Sequence, residues 1–246
     1  MEENGIVPVQ EDLVKIGERI LRRNQSCCLA VLMLDDSASM AQHGTEPLEA
    51  LDHQIAALKQ AQGAENTILM VYEFSEEARL VVPPVALHDA QPLGLYVPNG
   101  QCTRLVASVG QALHAALMFQ SCAKQLYGSE VFVAVSVISD GADNASTEEE
   151  YVREAVLAKD ARQRGFDLQV IGIGIEGPEL AALLQFDGQH AVTVAPTRAG
   201  VRRATDMSVD FVTRTMSHTQ VGTFVPNPGV GGSGEIDEDD LPTNRR

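Results

Sequence analysis

The sequence contains no tryptophan, and aromatic residues of all kinds make up only 4% of its 246 residues. It is also poor in basic residues: 18 Lys and Arg stand against 34 Asp and Glu, which gives a formal net charge of −16. Nucleic acids and anionic membrane surfaces bind proteins largely through Lys and Arg that meet phosphates. The charge balance therefore argues against DNA, RNA or a membrane surface as the main partner.

Cysteine is scarce as well. Cys27, Cys28, Cys102 and Cys122 form no CxxC pair, and two adjacent cysteines are poor candidates for a disulfide framework. We therefore expect reduced, mostly buried thiols. The six histidines are scattered and lack the close pairing of a zinc site.

The first residues lack the basic-then-apolar pattern of a secretory signal, and no apolar run approaches membrane-spanning length. We expect a cytoplasmic protein without membrane insertion. The length suits one large α/β domain, predicted over residues 27–217. An amphipathic helix is predicted in the preceding residues 1–26, and a flexible acidic tail in residues 218–246, where positions 235–240 hold five acids.

Strand-like and helix-like segments alternate along the predicted domain. Strands are predicted over residues 29–34, 67–74, 79–82, 131–138, 166–175 and 190–194, and helices over 47–62, 104–126, 148–164, 178–184 and 199–217. The third strand is expected to be an antiparallel edge strand halted by Pro83 and Pro84. This succession predicts a doubly wound, Rossmann-like, mostly parallel sheet of about six strands with helices on both faces.

Three oxygen-bearing side chains follow the first apolar strand. Asp35, Ser37 and Ser39 form a DxSxS pattern where this strand ends, and ligands of open α/β sheets gather at the carboxyl ends of strands. A carboxylate with two hydroxyls suits Mg²⁺, Mn²⁺ or Ca²⁺ better than zinc or copper. Taken alone, the same residues are also ordinary turn and helix-capping residues.

Two further segments point to the same sheet edge. Thr103 lies at a loop-to-helix junction, and Asp140 follows the fourth strand. In this arrangement the chain resembles the von Willebrand factor A (VWA) domain, whose metal-ion-dependent adhesion site (MIDAS) combines DxSxS, a Thr and an Asp that opens a DG turn. The resemblance implies that Ser37, Ser39 and Thr103 give hydroxyl oxygens to Mg²⁺ or Mn²⁺, with Asp35 and Asp140 acting directly or through water.

The resemblance also implies a function. A partner protein's Asp or Glu would complete the ion's shell, as in the family's protein-binding members. Intracellular bacterial relatives commonly act as non-enzymatic adaptors in assemblies with ATPases, kinases or phosphatases. The expected function is therefore metal-dependent protein binding, with the N-terminal helix and acidic tail as further contact elements.

Several residues near this pattern have alternative interpretations. Thr103 lacks the double glycine that often precedes the family's Thr, so a helix N-cap is its alternative role. Asp36 and Asp143 are either supports for the ligands or solvated turn residues. Arg104 is expected to be an exposed helical side chain or a partner contact, and His43 to lie in a surface loop.

Two rival functions remain. A haloacid dehalogenase-type phosphohydrolase also places an Asp after its first strand, but its motif is DxDxT, and Ser37 stands where the second Asp is needed as general acid or base. No nucleophile with an activating partner is apparent. The other rival is a VWA-fold scaffold that binds no ion.

Overall fold

The protein is described by a computed structural model that covers residues 20–21 and 26–220. Apart from its last two residues, the predicted N-terminal helix lies outside the described residues. The predicted acidic tail lies outside them beyond residue 220. Ile20 and Leu21 are buried in the core. The predicted boundaries of the domain and its two extensions stay predictions.

A six-stranded sheet forms the centre of the protein, in the order β3-β2-β1-β4-β5-β6. Its strands are β1 Ser26–Asp35, β2 Thr67–Phe74, β3 Ala78–Ala86, β4 Glu130–Ser139, β5 Asp167–Ile173 and β6 Ala191–Val194. Every pairing is parallel except that of β2 with β3. The predicted fold class, with one antiparallel edge strand, is confirmed.

Five α-helices of the described residues cover the two faces of this sheet. They are α1 Glu46–Gln60, α2 Leu105–Tyr127, α3 Glu148–Gln163, α4 Gly177–Leu183 and α5 Arg198–Ser217. Helices α2, α3 and α4 bury their apolar side chains on one face, and α1 and α5 on the other. Strand β1 serves both cores, because alternate side chains of a strand point to opposite faces: Leu29 and Val31 enter the first core, and Ala30 and Leu32 the second.

The register of the central strands brings three strand ends together. Asp35 pairs with Phe74 at the end of β2, and Leu34 pairs with Ile138 near the end of β4. The loops that follow β1, β2 and β4 therefore leave the sheet at one edge. This edge carries the residues that the sequence singles out.

Strand β3 does not stop at Pro83 and Pro84, so that prediction is wrong. The strand continues to Ala86, with register shifts in its pairing to β2. Proline has no N–H to donate, but an edge strand with an irregular ladder tolerates it. Strand β5 ends at Ile173, two residues earlier than predicted, where Gly174 adopts a φ of 72°.

Among the described residues, α2 is the one helix long and apolar enough to cross a membrane by length and composition. In this structure 56% of its most apolar stretch is buried. Its buried side chains belong to the core beneath the sheet. Core helices of α/β domains pass the same length and composition test, so the observation is weak support for a membrane span.

Glu154 is a buried acid at the contact between α2 and α3. Its side chain lies beside Gly110 of α2, and neither carboxyl oxygen has a hydrogen-bond partner among the described residues. Burial raises the pKa of Glu154 to about 8, against a smaller lowering effect of Arg162. The side chain is therefore mostly protonated and neutral at pH 7.

We expect Glu154→Gln to change how stability depends on pH. Because the folded-state pKa is raised above the unfolded value, the native state holds a proton that the unfolded state loses, and wild-type stability falls as pH rises from about 5 to 9. The amide cannot ionise, so the variant should match wild type near pH 5 and exceed it at pH 9 by an amount on the order of a few kcal/mol. Urea unfolding at several pH values measures this. Glu149→Gln, at an exposed position of α3, is the control. If the free energy of unfolding changed with pH in the same way in wild type and Glu154→Gln, the expectation would be contradicted.

Candidate metal site

Asp35 is the last residue of β1 and is fully buried between β2 and β4. Its Oδ1 accepts a hydrogen bond from the backbone N–H of Ser37 at 2.8 Å, and its Oδ2 accepts one from the Ser139 hydroxyl at 2.5 Å. Burial raises the pKa of Asp35 to about 6, and the bonds from Ser139 and Ser37 oppose this rise. The charge of this carboxylate is thus only partly compensated by the protein.

The DxSxS segment directly contacts the loop that follows β4. The Ser37 and Ser39 hydroxyl oxygens lie 3.0 Å apart, and the Ser39 hydroxyl donates to Oδ1 of Asp140 at 2.6 Å. Gln42 donates to the other oxygen of Asp140 at 3.2 Å. Residues 101 positions apart in the chain therefore share one hydrogen-bond network.

Thr103 joins this group through its position beside Gly141. A Cβ atom at Gly141 would lie 3.4 Å from Oγ1 of Thr103 and 4.0 Å from Oδ2 of Asp35. Both oxygens therefore border the same small space. The N-cap of α2 is Arg104, whose own side chain makes no capping hydrogen bond, so Thr103 does not have the alternative capping role.

Backbone hydrogen bonds fix the loop before α2 against the DxSxS segment. Gly100 forms an isolated parallel bridge with Ser37. The N–H of Ala38 donates to the Gly100 carbonyl at 2.8 Å, and the N–H of Gly100 donates to the Asp36 carbonyl at 3.2 Å. A Cβ atom at Gly100 would lie 2.2 Å from Cβ of Ser75, so only glycine fits. This contact was not predicted from the sequence, although a glycine three residues before Thr103 is a signal of close backbone approach.

The loop after β4 holds Thr103 from the other side. Oδ1 of Asn144 accepts the N–H of Thr103 at 2.8 Å, and the N–H of Asn144 donates to the Thr103 carbonyl at 3.0 Å. Asp143 accepts the N–H of Val106 at 2.7 Å and the hydroxyl of Ser146 at 2.6 Å. Asp143 thus supports the site rather than lying solvated in a turn. The role of Asn144 was not predicted from the sequence, where its signal is its place in the polar run after β4.

Asp36 does not face the group of oxygens around Asp140. It is buried and accepts a hydrogen bond from Arg79 at 2.6 Å, and Arg79 also donates to the buried Glu73 at 2.8 Å. Asp36 is therefore a structural ion-pair residue that fixes the segment next to Asp35. It is not a solvated turn residue.

Two expectations about neighbouring residues are wrong. His43 is buried, not exposed in a surface loop, and its Nε2 lies 3.7 Å from Oδ2 of Asp140. Arg104 is neither freely exposed nor open to a partner, because its guanidinium pairs with Glu150 in the first turn of α3. Both residues contact side chains more than 40 positions away, which local patterns do not reveal.

The five oxygen-bearing side chains suit a hard divalent cation. Asp35 and Asp140 are carboxylates, and Ser37, Ser39 and Thr103 are hydroxyls, a donor set that Mg²⁺ and Mn²⁺ accept while keeping bound waters. In the described part of the chain, no cluster of three or more His, Cys, Asp and Glu side chains could hold a metal ion. The three hydroxyls are neutral, so the two carboxylates at most balance the charge of a divalent ion and leave it able to accept a further ligand. The residues therefore fit the ion that the resemblance implies.

Solved structures with a similar fold include three that align with more than three quarters of the chain. Proximal thread matrix protein 1 from the mussel byssus aligns with a TM-score of 0.54 and 15% identity over 77% of this chain and 49% of that chain. A structure of the same mussel protein with a zinc-occupied MIDAS motif aligns with a TM-score of 0.51 and 14% identity over 78% and 46% of the two chains. The pilus adhesin SpaC from Lactobacillus rhamnosus GG aligns with a TM-score of 0.57 and 10% identity over 78% and 30%.

These similarities establish the class of fold. No protein-family model matches the sequence, and no curated protein matches it either. At identities of 10–15%, the alignments show the fold alone. The chain has the von Willebrand factor A fold, and it spans less than half the length of these similar structures.

We expect Asp143→Ala to destabilise the protein by about 1–3 kcal/mol, because it leaves the buried end of α2 without its acceptor. Urea unfolding measures this loss. Asp160→Ala is the matched control: it removes an exposed i,i+4 pair with Arg164 and should cost less than about 1 kcal/mol. Equal losses in the two variants would show that Asp143 does not support this loop.

Proposed function

We propose that the protein is a metal-dependent protein-binding module. Asp35, Ser37, Ser39, Thr103 and Asp140 hold a divalent cation, Mg²⁺ or Mn²⁺, and an Asp or Glu of a partner protein completes its coordination. The observation that carries this proposal is the meeting of three chain segments at one sheet edge, where Ser39 bonds Asp140 and Thr103 borders Asp35.

The cation supplies an electrophilic positive charge when it is bound. Separate chain segments position the side chains that would hold the cation. The buried Asp35 carboxylate is held by Ser37 and Ser139, so it needs no rearrangement to face a cation. Backbone bonds around Gly100 and Asn144 hold Thr103 opposite it. The site is therefore pre-organised by its own loops.

The chemistry of the proposed partner follows from the net charge of the chain and the charge of the bound ion. A chain with a formal charge of −16 repels acidic ligands at long range, so an acidic partner needs a local positive charge, and a bound ion supplies the largest one available. The proposed role is that of a cytoplasmic adaptor. Its partner is an ATPase, kinase or phosphatase that presents an Asp or Glu. Nucleic acids and the membrane interior are not part of this proposal.

We do not propose an enzymatic function. Ser37 lies where a phosphohydrolase of the haloacid dehalogenase type needs a second carboxylic acid, and its hydroxyl contacts Ser39 instead of an activating base. An aryl phosphate assay with Mg²⁺ tests this directly. Turnover that disappears in Asp35→Asn would overturn the non-enzymatic proposal.

Thr103→Val should weaken metal binding without unfolding the protein, because valine keeps the shape of threonine and removes the proposed ligand oxygen. We expect Mn²⁺ affinity, measured by electron paramagnetic resonance, to fall on the order of tenfold or more. Thr67→Val is the matched control, since the Thr67 hydroxyl is also buried but lies at the start of β2 and donates to the Gly63 carbonyl. Equal Mn²⁺ affinities in wild type and Thr103→Val would remove Thr103 from the site.

Partner recognition can be tested with random peptides selected on the immobilised protein. With Mg²⁺ present, we expect selected peptides to be enriched in Asp and Glu, because a carboxylate completes the ion's shell. Selection with a chelator, or on Ser39→Ala, should lose this enrichment. Equal enrichment under all three conditions would overturn the metal-bridged mechanism.

A further inference from the structure

The loop between β3 and α2 is fixed beside the candidate metal site at three points. The N–H of Leu93 donates to Asp52 of α1 at 2.9 Å, and the hydroxyl of the buried Tyr96 donates to the Asp35 carbonyl at 2.5 Å. Further on, Gly100 pairs with Ser37. Residues 93–100 of this loop, which we call the strap, are therefore fixed along the DxSxS segment.

Two apolar side chains of this strap face outward. Leu95 and Val97, which we call the apolar rim, flank the inward-facing Tyr96 and are 72% and 48% exposed. The other large apolar side chains exposed in the described part of the chain lie on α2 and α3 (Met118, Leu126, Val152 and Val156). Among these exposed apolar side chains, those of the apolar rim flank Tyr96, which is hydrogen-bonded to Asp35.

The chain itself contains a segment with matching chemistry. Residues 235–241 read Glu-Ile-Asp-Glu-Asp-Asp-Leu, so carboxylates stand next to the apolar side chains of Ile236 and Leu241. The carboxylates match a bound cation, and the apolar side chains match the apolar rim. These are the two features that an occupant of this surface needs.

The length of the chain allows this segment to reach the site. The carbonyl of Thr219 accepts a hydrogen bond from Ser26 at the start of β1, so the described chain ends at the edge of the sheet opposite Asp35. The ten residues of β1 span about 33 Å. Residues 221–234 can extend over at most about 50 Å, which exceeds this distance.

We propose that residues 235–241 occupy the metal site of their own chain, with a carboxylate on the cation and Ile236 or Leu241 on the apolar rim. A partner's acidic segment then has to displace this intramolecular ligand. The inference rests on the proposed function, because the carboxylate needs the bound ion. Linkage through a short segment gives an effective concentration of about 1 mM, so even a weak contact keeps the site largely occupied.

The test uses full-length proteins and a labelled synthetic peptide of residues 233–243 as the probe, with Mg²⁺ present. In a tail-neutralised chain the five acids are replaced by their amides: Glu235→Gln, Asp237→Asn, Glu238→Gln, Asp239→Asn and Asp240→Asn. We expect this chain to bind the peptide about tenfold more tightly than wild type does, and chelator to abolish binding. Fluorescence anisotropy measures the affinity.

A second comparison tests the apolar rim. Leu95→Ser with Val97→Ser, made in the tail-neutralised chain, should weaken peptide binding several-fold while Mn²⁺ affinity stays unchanged. Val152→Ser with Val156→Ser is the matched control, because these valines are similarly exposed but lie on α3, and it should leave binding unchanged. A peptide with Ile236→Ser and Leu241→Ser should bind as weakly to the unaltered rim.

The possible failures are distinguishable. Equal peptide binding by wild type and the tail-neutralised chain, with normal Mn²⁺ binding in both, would overturn the intramolecular contact and leave the metal site standing. A difference that grows with protein concentration would overturn it in favour of a contact between two copies. Absence of Mn²⁺ binding in both chains would overturn the proposed function itself.

Discussion

The candidate site depends on the burial of one carboxylate, that of Asp35, at the end of the central strand. Burying an ionised carboxylate is costly unless other groups compensate its charge. The protein supplies two hydrogen bonds, from Ser37 and Ser139, and these do not cancel the effect of burial, because the pKa of Asp35 stays raised. A buried carboxylate whose charge is only partly compensated, beside two serines, a threonine and a second aspartate, is the electrostatic situation that a divalent cation stabilises.

Other acids near Asp35 form ion pairs of their own. Asp36 is adjacent in sequence but faces Arg79, and Glu150 faces Arg104. Each of these acids has a fixed cationic partner of its own. Asp143 is held by the N–H of Val106 and the hydroxyl of Ser146. Asp35 and Asp140 contact hydroxyl, amide and imidazole groups instead of an arginine. The proposed cation site relies on this separation of the acids.

The sequence was enough to predict the fold class and the residues that meet at the sheet edge, because both follow from local patterns. Apolar runs predicted the strands, and Asp35 and Asp140 follow two of them directly. Long-range contacts were not predictable in this way. The buried His43 lies beside Asp140, and Arg104 pairs with Glu150. The continuation of β3 through Pro83 depends on its place at the sheet edge, which no local pattern states.

Two glycines allow the loops around the site to pack closely and leave its oxygen atoms accessible. At Gly100 a side chain would collide with Ser75, so the loop backbone lies directly against Ser37 and the two segments are fixed together. At Gly141 a side chain would reach 3.4 Å from the Thr103 hydroxyl oxygen and would fill the space that this oxygen shares with Asp35. One glycine therefore permits contact between loops, and the other preserves access to the oxygen donors. Larger residues at the two positions would act differently, the first by separating the loops and the second by filling the space beside the oxygen donors.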